Sequence, residues 1–171
     1  MKITIREYRE ADYAACRSLY GELAQHHAEI YEDPSIAGDD PGRGFDVCLK
    51  RTDRRGSWIA ECHGRVVGFA GLLDVVGQQS VAEIEPLVVT AGVRDEGIGS
   101  DLVGHIRSEA KKLGFKFLSV RPELRNERAF QLYVRLGFTL VGGVELFQDL
   151  APDRGRTWRS GIEILGQKLN Y

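Results

Sequence analysis

Apolar positions along this chain recur with two different periods, and the alternation between them predicts the elements. Ile3 and Ile5 alternate with Lys2, Thr4 and Arg6, which predicts a first strand. From Glu10 to about His27, the residues Tyr13, Cys16, Leu19 or Tyr20, and Leu23 are spaced as on one face of a helix, with Asp12 in its first turn. A second, short helix is expected from about Phe45 to Arg51. Ser57 to Cys62 and Val66 to Leu73 read as strands, joined by a tight turn at His63-Gly64. Val81 to Val89 reads as another strand. Ile98, Leu102, Ile106, Ala110 and Leu113 mark a long helix, ended by Lys111, Lys112 and Gly114. Phe115 to Val120 is a further strand. Asn126 to Leu136 is a shorter helix with Ala129, Leu132, Tyr133 and Leu136 on one face and Gly137 at its C-cap. Phe138 to Val141 and Val144 to Gln148 read as a closing pair of strands around Gly142-Gly143.

The order β, α, α, β, β, β, α, β, α, β, β predicts an α/β fold, a mixed sheet with helices on both faces. Residues 1–150 make one domain by this reading. The tail, 151–171, carries Trp158, Ile162, Ile164, Leu165 and Leu169, interrupted by Gly155, Gly161 and Gly166. It has two candidate seats, the domain itself or a second subunit in a homodimer, and the sequence favours neither.

Bulk composition narrows the function classes. The chain has 171 residues, 43% hydrophobic, enough for one real core. A net charge of −2 supplies no basic field for nucleic acid. Cys16, Cys48 and Cys62 are an odd, widely spaced set. That argues against a disulfide framework or a metal site and for a reducing, cytoplasmic setting. No apolar run approaches the ~18 residues of a membrane span, and the first residues lack a signal-peptide core.

The most informative stretch is Val93-Arg94-Asp95-Glu96-Gly97-Ile98-Gly99-Ser100, between the apolar run Leu87-Val88-Val89 and the long helix. Strand, glycine-containing turn and helix place free backbone N–H groups where the helix dipole favours an anion. Gly97 and Gly99 let the backbone approach a ligand closely. Two nucleotide-binding readings fail on detail. Leu102 stands where a dinucleotide fingerprint needs a third small residue, and there is no Gly-Lys-Ser/Thr.

Arg94-x-x-Gly97-x-Gly99 after a strand instead resembles the acyl-CoA pyrophosphate loop of the GCN5-related N-acetyltransferase (GNAT) superfamily. Ala82, Ile84, Leu87 and Val89 match the apolar positions of that family's fourth strand. Asn126-x-x-Ala129-x-x-x-Tyr133-x-x-x-Gly137-Phe138 resembles its second cofactor motif. The resemblance spans roughly residues 82 to 138. It implies a central, mostly antiparallel sheet splayed between strands 4 and 5. It also implies acetyl-CoA as co-substrate, with no metal, held by Leu87, Val88, Val89, the loop Arg94 to Ser100 (Asp95, Glu96 and Ile98 included), Asn126, Phe130 and Tyr133. This chain departs from the pattern at Asp95 and Glu96, where glycine and a basic residue are frequent. Two carboxylates repel a pyrophosphate unless they point away.

Pro86 donates no ladder hydrogen bond, so it marks an edge or a bulge. A bulge there parts this strand from the next and frees Leu87 to Val89 for the cofactor's amide-bearing arm. Asn126 is equally suited to capping a helix. A phenol with pKa ~10 stays protonated at neutral pH and can serve the departing thiolate. The resemblance assigns that general acid to Tyr133. An attacking ammonium must lose a proton, and Glu83 and Glu85 share a strand parity that turns both toward one cleft. The resemblance favours Glu83 as base. It also places the acceptor by the first two helices, implying His27, Glu29, Tyr31 and Glu83 as its neighbours. The intervening loop holds Glu29, Glu32, Asp33, Asp39 and Asp40, which suits a cationic small-molecule or peptide amine. The reading is an acetyl-CoA-dependent N-acetyltransferase acting by direct attack in a ternary complex. The alternative is a non-catalytic acyl-CoA-binding domain on the same scaffold.

Overall fold

A computed structural model describes residues 2–150 and 157–171. Met1 and residues 151–156, with Gly155 and the start of the expected tail, lie outside the described residues. Five strands form one sheet in the order β1-β2-β3-β4-β5. They are β1 (Ile3–Glu7), β2 (Arg54–Cys62), β3 (Arg65–Asp74), β4 (Val81–Val89) and β5 (Phe117–Ser119). The first four pair antiparallel, and β5 runs parallel to β4. The turn between β2 and β3 is the expected one, with φ of 47° at His63 and 74° at Gly64. Positive φ at both positions matches the right-handed twist of the strands it joins.

Helices cover both faces. α1 (Tyr13–Tyr31) and α2 (Arg43–Lys50) bury Cys16, Leu19 and Phe45 against Ile59, Phe69 and Val88. α3 (Ile98–Lys112) buries Ile98, Leu102, Val103 and Ile106 on the opposite face, against Trp58, Ala60, Leu72, Ala82 and Ile84. α4 (Glu127–Arg135) adds Tyr133 to that second core. α1 runs four residues beyond its expected end, so His27 sits inside a helical turn. It stops where Glu32 adopts the left-handed conformation, φ 56°.

The sheet carries the feature that matters most for function. In β4, Glu83 is the last residue paired with β5, opposite Ser119. Beyond it the two strands part, and Leu87 to Val89 pair with β3 alone. The register with β3 jumps between Ala70↔Leu87 and Leu72↔Ile84, so Glu85 and Pro86 together oppose Gly71. This is the bulge that Pro86 announced, on an interior strand and not at an edge. Gly71 permits it, since a Cβ there would lie 2.4 Å from the Glu85 carbonyl oxygen.

The C-terminal side departs from the expected closing pair of strands. The predicted strands Phe138 to Val141 and Val144 to Gln148 do not form. The segment has no ladder partner and leaves Leu140, Val141, Leu146, Phe147 and Leu150 at 71–85% exposure. β5 offers an open edge, yet among the described residues nothing in 138–148 pairs with it, and patterning without a ladder does not make a strand. The tail, for which the sequence predicted no element, forms a hairpin of β6 (Ser160–Ile164) and β7 (Gln167–Asn170). Its turn is Leu165-Gly166, with φ of 50° and 76°. Leucine at the first turn position hid it from a residue-type reading.

Candidate functional site

The loop after β4 is built from three local devices. Glu22 of α1 accepts hydrogen bonds from Thr90 Oγ1 at 2.9 Å and Ala91 N at 3.0 Å, which fixes where the chain leaves the strand. Arg94 Nε donates to the Val89 carbonyl at 3.0 Å. Its side chain therefore folds back on β4 and braces the loop. Gly97 then caps α3 with φ 83° and no side-chain cap bond. The first α3 backbone bond among neighbours runs from Asp101 N to Gly97 O. The amides of Ile98, Gly99 and Ser100 are thus the uncapped donors of a helix N-terminus.

The carboxylates in this loop turn outward. Asp95 is left-handed, φ 70°, and its side chain is 82% exposed and ion-paired with Arg128 at 2.6 Å. It links the loop to α4 and is partly neutralised there. Glu96 is exposed. Gly99 serves packing as well as access, because a Cβ there would meet Leu132 of α4 at 3.3 Å. The side chain of Ile98 is core, so only its main chain can face a ligand.

α4 brings the second half of the cleft. Asn126 caps it, its side-chain oxygen accepting from Ala129 N at 3.1 Å. Phe130 is 45% exposed and stands away from the core. Tyr133 is buried, with Phe138 against it edge to face at 5.6 Å. Burial pushes its phenol up to about 12. The amide row of α3, the open flank of Leu87 to Val89 and the α4 face with Tyr133 belong to one region beside the strand gap. A pyrophosphate and an amide-bearing arm fit such donors, the first on the uncapped helix and the second along the unpaired flank.

On the α1/α2 face lie the carboxylates. Glu83 is 5% exposed. Its pKa is raised, first by burial, against the pull of Arg121 and with help from Glu85. Arg121 Nε approaches Glu83 Oε1 at 3.3 Å. Glu85 is more open and meets Arg51 at 3.5 Å, while Arg51 is held by Asp53 at 2.7 and 2.9 Å. Glu83 and Glu85 thus share one charged cluster, with Glu83 the shielded member.

The expected acceptor neighbours divide. Tyr31 donates its hydroxyl to Glu123, and the Arg125 guanidinium lies 4.8 Å over its ring. His27, one turn earlier on the same helix face, has its pKa lowered by burial, with the Glu123 charge acting in the opposite sense. Glu29 lies about half a turn round the helix from both. It lines a separate open hollow of about 470 Å³ with Gln25, Glu32 and Pro34. The structure does not bring it to the others. Three carboxylates of the acidic loop are engaged within the protein: Asp33 caps Ser35, Asp40 pairs with Arg17, and Glu32 with Arg159.

Sequence reading missed the segment Arg121-Pro122-Glu123-Leu124-Arg125. Its alternating charges were the available signal. Arg125, 5% exposed, donates to the carbonyls of Thr157 and Tyr171 in the tail and reaches those of Ile30 and Tyr31 at the end of α1. It ties the β6–β7 hairpin to the end of α1.

Comparison with known proteins agrees with this geometry. The family model of the Acetyltransferase (GNAT) family matches residues 13–138, and the chain belongs to that family. It is 31% identical over 100 residues to the uncharacterized N-acetyltransferase MJ1207 of Methanocaldococcus jannaschii, covering 56% of this chain and 44% of that protein. It is 25% identical over 142 residues to the L-methionine sulfoximine/L-methionine sulfone acetyltransferase of Salmonella typhimurium, covering 81% of each. The chain spans about half the length of the first curated relatives it matches. Among solved structures, the PaiA N-acetyltransferase of Thermoplasma acidophilum in complex with coenzyme A superposes with a TM-score of 0.68 at 19% identity, covering 84% of this chain and 94% of that one. That likeness establishes the shared fold.

Proposed function

We propose that this chain transfers an acetyl group from acetyl-CoA to a primary amine, by direct attack within a ternary complex. One observation carries the reading: β4 and β5 part immediately after Glu83, beside an uncapped helix N-terminus, with a buried phenol on one side of the gap and a buried carboxylate on its strand. Family membership and N-acetyltransferase relatives support it. The main-chain amides of Ile98, Gly99 and Ser100 hold the pyrophosphate, and Arg94 braces their loop. The open flank of Leu87 to Val89 pairs with the pantetheine arm, and Asn126 and Phe130 border it. Acetyl-CoA supplies the thioester. Glu83 accepts the amine's proton, with Glu85 in the same cluster, and Tyr133 donates toward sulfur. His27 and Tyr31 border the acceptor.

The chain also pairs with a second copy. The apolar run from Leu140 to Leu150 supports this, with Leu140, Val141, Leu146, Phe147 and Leu150 at 71–85% exposure and a second copy as the surface that covers them.

The test has two stages. Acetyl-CoA at ~100 times its dissociation constant adds ~2.7 kcal/mol of stability, read as a thermal shift that ATP and NAD do not give. Thiol release is then followed with a panel of amines. Binding without release for any amine leaves a non-catalytic acyl-CoA-binding domain in place of the enzyme.

A further inference from the structure

Resting on that reading, we propose that the acceptor is a zwitterion, an amine carrying a carboxylate one or two carbons away, as in an α-amino acid. Its ammonium goes to Glu83 and its carboxylate to Arg121. The argument begins with how Glu83 is balanced. A carboxylate 5% exposed requires a partner. Arg121 provides the positive charge, yet its nearest approach, Nε to Oε1, is 3.3 Å, and its own side chain is 73% exposed. A guanidinium has five donors in a planar fork. The pairing is a loose ion pair, and a guanidinium whose side chain is this exposed keeps donors for a further ligand.

Arg51 shows the contrast. Asp53 takes its Nε and Nη2 together, so its fork is already filled. Among these two arginines, Arg121 is the one beside the buried carboxylate with an unfilled fork. A planar oxyanion is the ligand that such a fork recognises best.

Charge balance selects against an acceptor with a net positive charge, the kind that the acidic loop suggested. Asp33, Asp40 and Glu32 are engaged within the protein. An amine bearing a second positive charge would meet Arg121 at the rim. A zwitterion instead exchanges one ion pair for two. The ammonium displaces Arg121 from Glu83, and the carboxylate receives the displaced guanidinium, with no change of net charge in the cleft. The chemistry then balances. The ammonium gives one proton to Glu83, and the freed nitrogen lone pair attacks the thioester carbonyl. A C–N bond forms and the C–S bond breaks. The nitrogen's second proton leaves to solvent, and the thiolate is met by the Tyr133 hydroxyl. The products are an N-acetyl acid and coenzyme A.

The experiment compares matched pairs of acceptors at saturating acetyl-CoA: α-amino acids against the same molecules as amides or as decarboxylated amines. A hydrogen-bonded charge pair contributes a preference of ~10- to 150-fold, and the exposure of Arg121 places the expected value near ~10-fold in kcat/KM. Arg121→Gln collapses that preference, chiefly through KM, and Arg121→Lys restores part of it. Coenzyme A affinity and the melting temperature of each variant serve as folding controls. A wild-type protein that acetylates decarboxylated amines as well as the acids overturns the proposal, as does an Arg121→Gln protein that keeps the preference. If coenzyme A binds and no amine of either kind releases thiol, the transferase reading itself falls, and the zwitterion with it.

Discussion

Replacing Tyr133 by Phe removes one oxygen and keeps the ring. The ring is 9% exposed and keeps its edge-to-face contact with Phe138, so the packing survives. What is lost is a donor. With its pKa pushed up to about 12, the phenol is fully protonated across the neutral range. The same burial makes it a weak acid. Complete transfer of its proton to a thiolate of pKa ~8.5 is uphill by roughly 3.5 units, about 5 kcal/mol. Its benefit therefore lies in a hydrogen bond to the charge developing on sulfur. Hydrogen bonds to charged groups contribute ~1.5–3 kcal/mol. Tyr133→Phe should lower kcat by ~10- to 150-fold. The assay is thiol release under saturating acetyl-CoA with the best amine, alongside a calorimetric coenzyme A titration. Affinity should stay the same while turnover falls. A variant with wild-type kcat and wild-type affinity would refute the role and the argument from burial together.

Four further outcomes are expected. The raised pKa of Glu83 means that kcat/KM falls, as pH is lowered, at higher pH than an ordinary carboxylate of ~4.3 would give. Glu83→Gln should abolish that acid limb along with most of the rate, and a variant with an unchanged pH profile removes Glu83 as base. Gly71→Ala forces a Cβ to within 2.4 Å of the Glu85 carbonyl oxygen, so denaturant melts should show a loss of ~1–3 kcal/mol and a weaker coenzyme A titration. Arg125→Met takes the guanidinium from the Thr157 carbonyl and from Tyr171 O, of which Tyr171 O keeps the Arg159 amide at 2.8 Å. A loss of roughly 3 kcal/mol and faster hydrogen exchange confined to the hairpin and the end of α1 are expected. The double change Leu146→Asp with Phe147→Asp should sediment as a monomer where the parent sediments as a dimer, and a monomeric parent would end the pairing claim.

Much of the cleft was legible because it is made by local rules. Val81–Val89 and Ile98–Lys112 stand within a residue of where periodicity and stop signals put them. Pro86 signalled an irregularity by its missing donor, and Gly97 marked the glycine-containing turn before the helix, where the structure has φ 83°. Such features depend on a residue and its near neighbours. The fate of Asp95 did not. Its sequence neighbours make it a repulsive charge at an anion site, yet Arg128, more than thirty positions away, takes it at 2.6 Å. The same holds for Arg125, whose partners lie in α1 and in the tail.

By itself, then, the amino-acid order determined the alternation of strands and helices up to Gly137, the site of the bulge and the uncapped start of α3. These follow from backbone sterics and side-chain periodicity, which act within a few residues. Tertiary structure alone decided that 138–148 remains unpaired, that the Leu165-Gly166 turn closes a hairpin, and that Glu29 faces away from His27 and Tyr31. It alone set Arg121 beside Glu83. A strand needs a ladder partner in register and a buried charge needs a counter-charge, and both come from positions distant in the chain, where periodicity carries no information.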